Sequence, residues 1–177
     1  ARARADFAWW NAEPPPLERV EDLMIAGAFG PVRARLYDPV GGGSPKPGLV
    51  HFHGGGWTIG DLDLEDTALR TLARESGVAI FSVDYALAPE HPFPEPLEDC
   101  IQACRWLRAH ARQWQVDAER LAIGGASAGA NLALATALAL RDAGEPWARF
   151  LLLQYGVYCA DHDTESHRRF GRGDYGL

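Results

Sequence analysis

From about residue 49 onward, short apolar runs alternate with longer amphipathic segments. The apolar runs, which predict strands, are GLVHFH at 48–53, VAIFSVDY at 78–85, RLAIGGA at 120–126 and RFLLLQYGVY at 149–158. The amphipathic segments, which predict helices from their three- and four-residue apolar spacing, are 61–76, 95–113 and 128–143. Strands that are apolar along their whole length are typical of a parallel sheet with helices on both faces. The pattern therefore predicts an α/β fold with a mostly parallel sheet.

The segment before these runs carries a different pattern. VEDLMIAG at 20–27 and VRARLYDP at 32–39 flank a Gly-Pro turn and show partial alternation, which predicts a β-hairpin. We expect this hairpin at the edge of the sheet, followed by a loop over 40–48.

The two ends of the chain show no repeating apolar pattern. Residues 1–20, with Trp9, Trp10 and a proline triplet, form a predicted arm, and residues 21–177 form the predicted core. The tail from residue 159 is polar and glycine-rich, and it shows no recognisable strand or helix.

The composition limits the classes of partner. A chain of 177 residues with 47% hydrophobic residues is long enough for one domain with a sizeable core. Its net charge is −7 and Lys46 is its one lysine, so no basic stripe is available for nucleic acid. The absence of an 18-residue apolar run and of a signal-peptide core predicts neither a membrane span nor export. Cys100 and Cys104 are expected to be reduced thiols in a cytoplasmic protein.

Ser127 stands between a predicted strand and a predicted helix, in the sequence GGASAGAN. Gly125, Ser127 and Gly129 form the pattern G-x-S-x-G, which in this context is typical of a sharp turn that presents a nucleophilic serine. The lysine of a phosphate-binding P-loop does not follow, and the dinucleotide pattern G-x-G-x-x-G is missing. Two interpretations of Ser127 remain, a catalytic nucleophile and a simple helix cap.

The segment HFHGGGWTIGD at 51–61 adds a second indication. An oxyanion hole needs backbone amides that no side chain obstructs, and three glycines after a strand provide them. We predict that the amides of Gly55, Gly56 and Ala128 surround an acyl oxyanion, and the alternative is a flexible glycine turn.

His51 and His53 lie two residues apart on the same predicted strand. They share a face and in principle suit a metal ion, but no third ligand is evident nearby, so we predict no metal site. The simpler role for His53 is to tie the glycine segment to neighbouring backbone.

Three blocks of this chain resemble the signature motifs of the hormone-sensitive-lipase-like α/β-hydrolases, the bacterial family IV carboxylesterases. The blocks are HGGGW at 53–57, DYALAPEHPFP at 84–94 and GASAGAN at 125–131. The resemblance implies an α/β-hydrolase fold in which Ser127 is the nucleophile and the arm belongs to a cap over the acyl pocket. The residues that it assigns to structural support of the site are Asp84, Tyr85, Glu90 and Asn131.

This chain departs from the family pattern at three positions. Ala126, Ala130 and Ala86 stand where the family usually has aspartate, glycine and arginine. The differences remove polar partners from around the predicted site and bear on its fine tuning rather than on its reaction type.

A serine hydroxyl needs a histidine to accept its proton and a carboxylate to orient that histidine. In this fold the acid and then the histidine follow the serine, after later strands. The chain continues for only 50 residues beyond Ser127, so we expect both in a C-terminal segment outside these 177 residues. The alternative is a compact substitute from His162 or His167 with Asp161 or Asp163, which is disfavoured because a flexible loop does not orient such groups.

We therefore predict a carboxylesterase that hydrolyses short-chain acyl esters through an acyl-enzyme on Ser127, without a metal or an organic cofactor. Its expected partner is a small-molecule ester. One alternative is a non-catalytic small-molecule binder, as in the plant gibberellin receptors that resemble the same family. Another is an inactive fragment whose exposed sheet edge leads to a homo-oligomer.

Overall fold

Within residues 13–39, 45–161 and 163–172, which the computed structural model describes, the chain forms a six-stranded sheet. The strands are β1 (Arg19–Ala26), β2 (Pro31–Asp38), β3 (Lys46–Phe52), β4 (Ala79–Val83), β5 (Val116–Ala126) and β6 (Phe150–Gln154). Their spatial order is β1-β2-β4-β3-β5-β6.

The strand pairing confirms the predicted mostly parallel sheet. β3 pairs in parallel with β4 and with β5, and β5 pairs in parallel with β6. β1 and β2 form the predicted antiparallel hairpin at one edge, and β2 continues antiparallel onto β4. The three strand-to-strand connections from β3 to β6 each contain a helix, because parallel neighbours need a long crossover.

Helices cover both faces of the sheet, as predicted. The covering helices are α1 (Asp66–Ser76), α2 (Glu95–His110) and α3 (Ala128–Asp142), a 3-10 turn at Ala111–Trp114 follows α2, and a short helix, α4 (Glu165–Phe170), lies in the tail. α2 and α3 pack against each other on one face, whereas α1 packs on the other. Among the helices of the described residues, none combines the length and the apolar character needed to span a bilayer.

Side chains of the central strands alternate between two hydrophobic clusters, one on each face. Val50 and Phe81 belong to the cluster that includes α2 and α3. Their neighbours Leu49 and Ile80 belong to the cluster that includes α1. Successive side chains of a strand point to opposite faces, so both faces of β3 and β4 are buried and their sequences are apolar without alternation.

Two predicted boundaries near β3 differ from the structure. Lys46 lies in β3, although the sequence placed it in a loop, because its N–H donates to the Gln115 carbonyl beside β5. β5 begins at Val116, four residues before the predicted start, because Val116 pairs with Lys46 across a register shift. Such shifts depend on the partner strand, and a single strand's sequence does not reveal them.

Two other boundaries are set by local turns. The helix predicted over 61–76 begins only at Asp66, because the residues just before it form turns. β6 ends at Gln154, short of the predicted Tyr158, because Tyr155 has a φ of 39° that interrupts the strand.

The tail contains a short helix that the sequence interpretation missed. Thr164 caps α4 by accepting a hydrogen bond from the His167 N–H. α4 buries none of its residues, so it carries no apolar periodicity that would have predicted it. At the other end β1 begins at Arg19, and Trp9 and Trp10 of the predicted arm lie outside the described residues.

A buried ion pair joins the hairpin to the parallel part of the sheet. Lys46 Nζ, at the start of β3, donates to the Asp38 carboxylate at the end of β2, and both side chains are more than 90% buried. Arg19 of β1 donates to the other Asp38 oxygen at 3.3 Å. The one lysine of the chain therefore serves the fold.

We expect Lys46→Met to lower the free energy of unfolding by about 3 kcal/mol, since it leaves the Asp38 carboxylate buried with only the partly exposed Arg19 as a partner. Urea denaturation measures this change. Lys46→Arg, which keeps the charge, should lose less, and adding Asp38→Asn to Lys46→Met should recover part of the loss. A loss of less than about 0.5 kcal/mol in Lys46→Met would show that the pair does not stabilise the fold.

Candidate active site

Ser127 occupies a sharp turn between β5 and α3. Its φ of 53° and ψ of −118° form a combination that residues with side chains adopt only under strain. Its N–H donates to the Gln154 carbonyl at 2.9 Å, and its own carbonyl accepts from the N–H groups of Ala130 and Asn131. The Ser127 hydroxyl makes no capping hydrogen bond to α3. Ser127 therefore occupies the N-cap position of α3 without capping the helix through its side chain, which disfavours its interpretation as a simple helix cap.

The turn depends on two glycines that let backbones approach closely. A Cβ atom on Gly129 would lie 2.0 Å from the Phe52 carbonyl oxygen and 2.4 Å from that of His53, at the end of β3. A Cβ atom on Gly125 would lie 2.5 Å from the Gly129 carbonyl. Side chains at these positions would push the elbow away from β3, so sterics between neighbouring backbones explain the pattern G-x-S-x-G.

The glycine loop, residues 54–60, follows β3 and faces this elbow. Gly55 and Gly56 have φ values of 130° and 58°, which glycine adopts at low cost. A Cβ atom on Gly54 would lie 3.5 Å from the Ser127 Cβ, so the loop and the serine side chain are direct neighbours. The tertiary structure thus brings together the two motifs that the sequence singled out.

The amide groups of this region divide into two kinds. In the described part of the chain, the amides of Gly55, Gly56 and Ala128 donate to no protein group. The Gly54 amide, by contrast, donates to Glu65 Oε1 at 3.1 Å. The three amides predicted for an oxyanion therefore remain unpaired, as a binding site for negative charge requires.

Two sets of contacts hold the glycine loop. The Tyr85 hydroxyl donates to the His53 carbonyl at 2.8 Å, and the two rings stack with centroids 4.4 Å apart. His53 Nδ1 lies 2.7 Å from the Gly54 carbonyl oxygen. Further along, the Ala88 N–H donates to the Trp57 carbonyl at 2.9 Å, which joins the loop to the segment LAPEHPFP. These contacts are of the kind that the predicted supporting roles of His53 and Tyr85 require, since they fix the backbone on both sides of the start of the loop.

His51 and His53 are buried, neutral imidazoles. Burial, together with the neighbouring His53, lowers the pKa of His51 to about 3. Burial also lowers the pKa of His53, and the Gly54 carbonyl partly opposes this shift. No group of three histidine, cysteine or acidic side chains arranged for a metal ion occurs among the described residues. The two rings therefore act as uncharged packing elements near neutral pH.

The three other residues predicted to support the site, Asp84, Asn131 and Glu90, differ in their contacts. The Asp84 N–H donates to the Arg33 carbonyl at 2.9 Å, and its carboxylate lies 3.7 Å from the Arg33 guanidinium. Asn131 Nδ2 donates to the Val157 carbonyl at 2.8 Å and ties α3 to the segment after β6. Glu90 is exposed on its loop and does not line the cavity beside Ser127.

A general base for Ser127 is not formed by the described part of the chain, where no hydrogen bond joins the serine hydroxyl to a histidine. His167 Nδ1 lies 2.7 Å from Thr164 Oγ1, and Asp163 pairs with Arg168 at 2.9 Å. These exposed groups are engaged within α4 and its cap, and His162 lies outside the described residues. The version of the compact substitute that uses His167 therefore has no support in the geometry of the described residues.

A cavity of about 350 Å³ opens beside Ser127. The glycine loop forms one wall, and the apolar side chains of Leu64, Leu69 and Leu72 form another. Tyr155, just after β6, lines the cavity as well. Its size and lining suit a small apolar group held next to the serine.

Sequence reasoning missed Glu65 and Gln154. Glu65 lines the cavity and contacts the glycine loop, but no local motif marks it, because it is 11 residues away from Gly54 in the sequence. Gln154 holds the Ser127 N–H through its backbone carbonyl, so its residue type carries no signal.

A strained serine between a parallel strand and a helix, facing a glycine loop, is the arrangement that is typical of the α/β-hydrolase fold. The model of the family described as the alpha/beta hydrolase fold matches residues 49–176. The chain belongs to this family. Its resemblance to the hormone-sensitive-lipase-like esterases is confirmed by the relatives that it matches.

Among curated proteins, Esterase LipI of Mycobacterium tuberculosis is 43% identical over 142 residues, which are 79% of this chain and 44% of that protein. The acetyl esterase of Salmonella paratyphi B is 36% identical over 173 residues, 96% of this chain and 52% of that protein. Among solved structures, the carboxylesterase EstE1, cloned from a metagenomic library, matches with a TM-score of 0.91 at 33% identity, covering 97% of this chain and 58% of that one. The chain thus spans about half the length of these relatives.

The depressed pKa of His51 predicts a pH dependence of stability. Between its ordinary pKa of 6.5 and about 3, His51 takes up a proton in the unfolded chain but not in the folded protein. The free energy of unfolding should therefore fall as the pH decreases below 6.5, by up to about 1.4 kcal/mol per pH unit from this residue.

Urea denaturation of the wild type and of His51→Gln between pH 4 and 8 measures this contribution. The variant should show a shallower decrease below pH 6.5, and the two curves should run parallel above pH 7, where the imidazole is neutral in both states. Equal slopes below pH 6.5 would contradict the prediction.

Proposed function

We propose that this protein is a carboxylesterase that uses Ser127 as its nucleophile. The observation that carries the proposal is the position of the Ser127 hydroxyl, which makes no capping hydrogen bond and belongs to a strained turn beside a cavity. The glycine loop lies opposite, and its Gly55 and Gly56 amides have no partner among the described residues. The names of the relatives, which include an acetyl esterase and a carboxylesterase, support the same reaction. Because the chain spans about half of those relatives, the activity is proposed for the whole protein.

The chemistry follows from the elbow. The Ser127 oxygen attacks the acyl carbon while its proton passes to a histidine, and the carbonyl oxygen becomes an oxyanion. The histidine then returns the proton to the leaving alcohol, and water hydrolyses the acyl-enzyme by the same route. We assign the oxyanion donors to the amides of Gly55, Gly56 and Ala128. The Ala128 amide lies at the N-terminus of α3, where the helix dipole favours negative charge.

The acid and base partners complete the proposal. We assign the histidine and its orienting carboxylate to a C-terminal segment outside these 177 residues, because Ser127 has no such partner within the described part. No metal or organic cofactor is required, since a serine, a histidine and oriented amides suffice for ester hydrolysis.

The cavity supports a substrate with a short acyl chain. Its volume of about 350 Å³ lies at the small end of ligand pockets, and leucine side chains line it. We propose that residues 1–20, with Trp9 and Trp10, belong to a cap over this cavity, and that residues 21–177 belong to the hydrolase core. The expected partner is a small ester, and the acidic net charge disfavours nucleic acid.

Compartment and assembly are proposed on separate grounds. Cys100 and Cys104 lie one helical turn apart, and both are buried free thiols, which supports a reducing compartment such as the cytoplasm. β6 forms the edge of the sheet in the described part of the chain, and its Phe150 is 62% exposed. An edge of this kind supports either further strands or self-association.

The test is hydrolysis of p-nitrophenyl acetate and butyrate by the purified protein, whose intact mass is determined first. Ser127→Ala should lower kcat/KM by about 10⁴-fold or more while leaving the thermal unfolding curve in place. A fluorophosphonate should add one adduct to the wild type, on the peptide that contains Ser127.

Turnover that survives Ser127→Ala would overturn the assignment of the nucleophile. Stoichiometric binding of an ester without turnover, in a folded sample of established mass, would instead favour a non-catalytic binder.

A further inference from the structure

Glu65 lies beneath the glycine loop, and the chemistry described above does not use it. Its Oε1 accepts a hydrogen bond from the Gly54 N–H at 3.1 Å. Its Oε2 lies 3.5 Å from His51 Nε2, and its side chain is 18% exposed. Both carboxylate oxygens therefore lie near protein groups in β3 and at the start of the loop, while the side chain also borders the cavity beside Ser127.

The position of Glu65 in the chain does not explain this arrangement. Glu65 is the N-cap residue of α1, yet its side chain makes no capping hydrogen bond to that helix. Burial of a carboxylate is costly unless hydrogen bonds compensate it. The compensating hydrogen bond comes from the Gly54 N–H of the glycine loop, and not from the N–H groups of α1.

Among the described residues, the groups around Glu65 supply no positive charge to hold it. His51 faces it from β3 and is neutral. Burial raises the pKa values of Tyr85 and Tyr155, from the segments after β4 and β6, and the nearby charge of Glu65 adds to both shifts. Asp66 follows it in α1 and bonds to arginines. Burial raises the pKa of Glu65, and the Gly54 N–H opposes this shift. The Gly54 amide is thus the principal group that stabilises the ionised carboxylate.

The contact with Glu65 distinguishes the Gly54 amide from the next two amides of the loop. The Gly54 N–H is used by Glu65, whereas the Gly55 and Gly56 amides donate to no protein group in the described part of the chain. The far side of the loop is held separately, by the hydrogen bond from Ala88 to Trp57. Glu65 therefore holds the amide at the beginning of the loop, next to Ser127, while His53 contacts the Gly54 carbonyl on the same residue.

We propose that Glu65 is a positioning residue: its carboxylate holds the Gly54 amide and thereby orients the Gly55 and Gly56 amides toward the oxyanion. This inference rests on the proposed esterase function. An ionised Glu65 accepts from the Gly54 N–H and has its other oxygen 3.5 Å from His51 Nε2, whereas protonation turns one carboxylate oxygen into a hydroxyl donor. The anchor is consequently strongest when Glu65 is ionised, because hydrogen bonds to a charged acceptor are the stronger ones.

The contact between Glu65 and the Gly54 amide can be tested without an activity assay. The measurement follows the Gly54 amide resonance in ¹H–¹⁵N spectra of the purified protein as a function of pH. In the wild type this resonance should move with the ionisation of Glu65. The movement should disappear in Glu65→Gln and persist in Glu75→Gln, the same change at an exposed site on α1. A Gly54 resonance that is indifferent to both pH and Glu65→Gln would overturn the anchor.

The catalytic consequence is tested by kinetics on a p-nitrophenyl ester. Glu65→Leu removes both acceptors and should lower kcat by about 10- to 100-fold with KM changed less than about threefold, because misplaced donors weaken transition-state binding alone. Glu65→Gln keeps an acceptor for the Gly54 N–H and should recover most of kcat. Glu75→Gln should match the wild type.

The two proposals fail in distinguishable ways. A wild type without turnover overturns the esterase function and, with it, the catalytic role of Glu65, whatever the Gly54 resonance shows. An active wild type whose kcat is unchanged in Glu65→Leu overturns the role of Glu65 alone. A Glu65→Leu variant that does not fold leaves the decision to Glu65→Gln, which must then lose the Gly54 titration for the proposal to stand.

Discussion

The close backbone approach between the end of β3 and the elbow after β5 is the constraint on which the rest of the site depends. β3 and β5 are parallel neighbours, with Phe52 opposite Gly125, so the carboxyl ends of both strands lie side by side. The glycine loop continues β3, and Ser127 continues β5. Because Gly129 lacks a side chain, its backbone lies against the Phe52 carbonyl and brings the serine beside the loop.

The interior beneath this contact is polar but holds little charge. His51 and His53 are kept neutral by burial, and Glu65 finds its stabilising partner in a backbone amide rather than in a cation. In the proposed reaction, the amides near Ser127 that have no partner among the described residues would face the developing negative charge. A site that relies on fixed amides needs its backbone held firmly, and the structure offers two such contacts, from Tyr85 to His53 just before the glycine loop and from Glu65 to Gly54 within it.

The sequence was sufficient for the fold class, because apolar periodicity reports which faces are buried. The alternation after residue 49 predicted the parallel strands and the helices between them, and the turn after Gly27 predicted the edge hairpin. It was insufficient for the early start of β5, which depends on pairing with Lys46, and for α4, which buries nothing. In the candidate site, motif spacing singled out Ser127 and the glycine loop, whereas Glu65 and Gln154 reach the site through contacts that no local pattern encodes.

By itself, the sequence determined the kinds of element, the family, and the residue types that the elbow and the glycine loop require, since these follow from local backbone preferences and side-chain size. Only the tertiary structure decided which loop amides have no partner among the described residues, that the Ser127 hydroxyl does not cap α3, and that the Glu65 carboxylate contacts the loop. Those properties depend on distances between segments far apart in the chain. Such distances are set by strand order and register, which arise when the whole sheet packs against its helices.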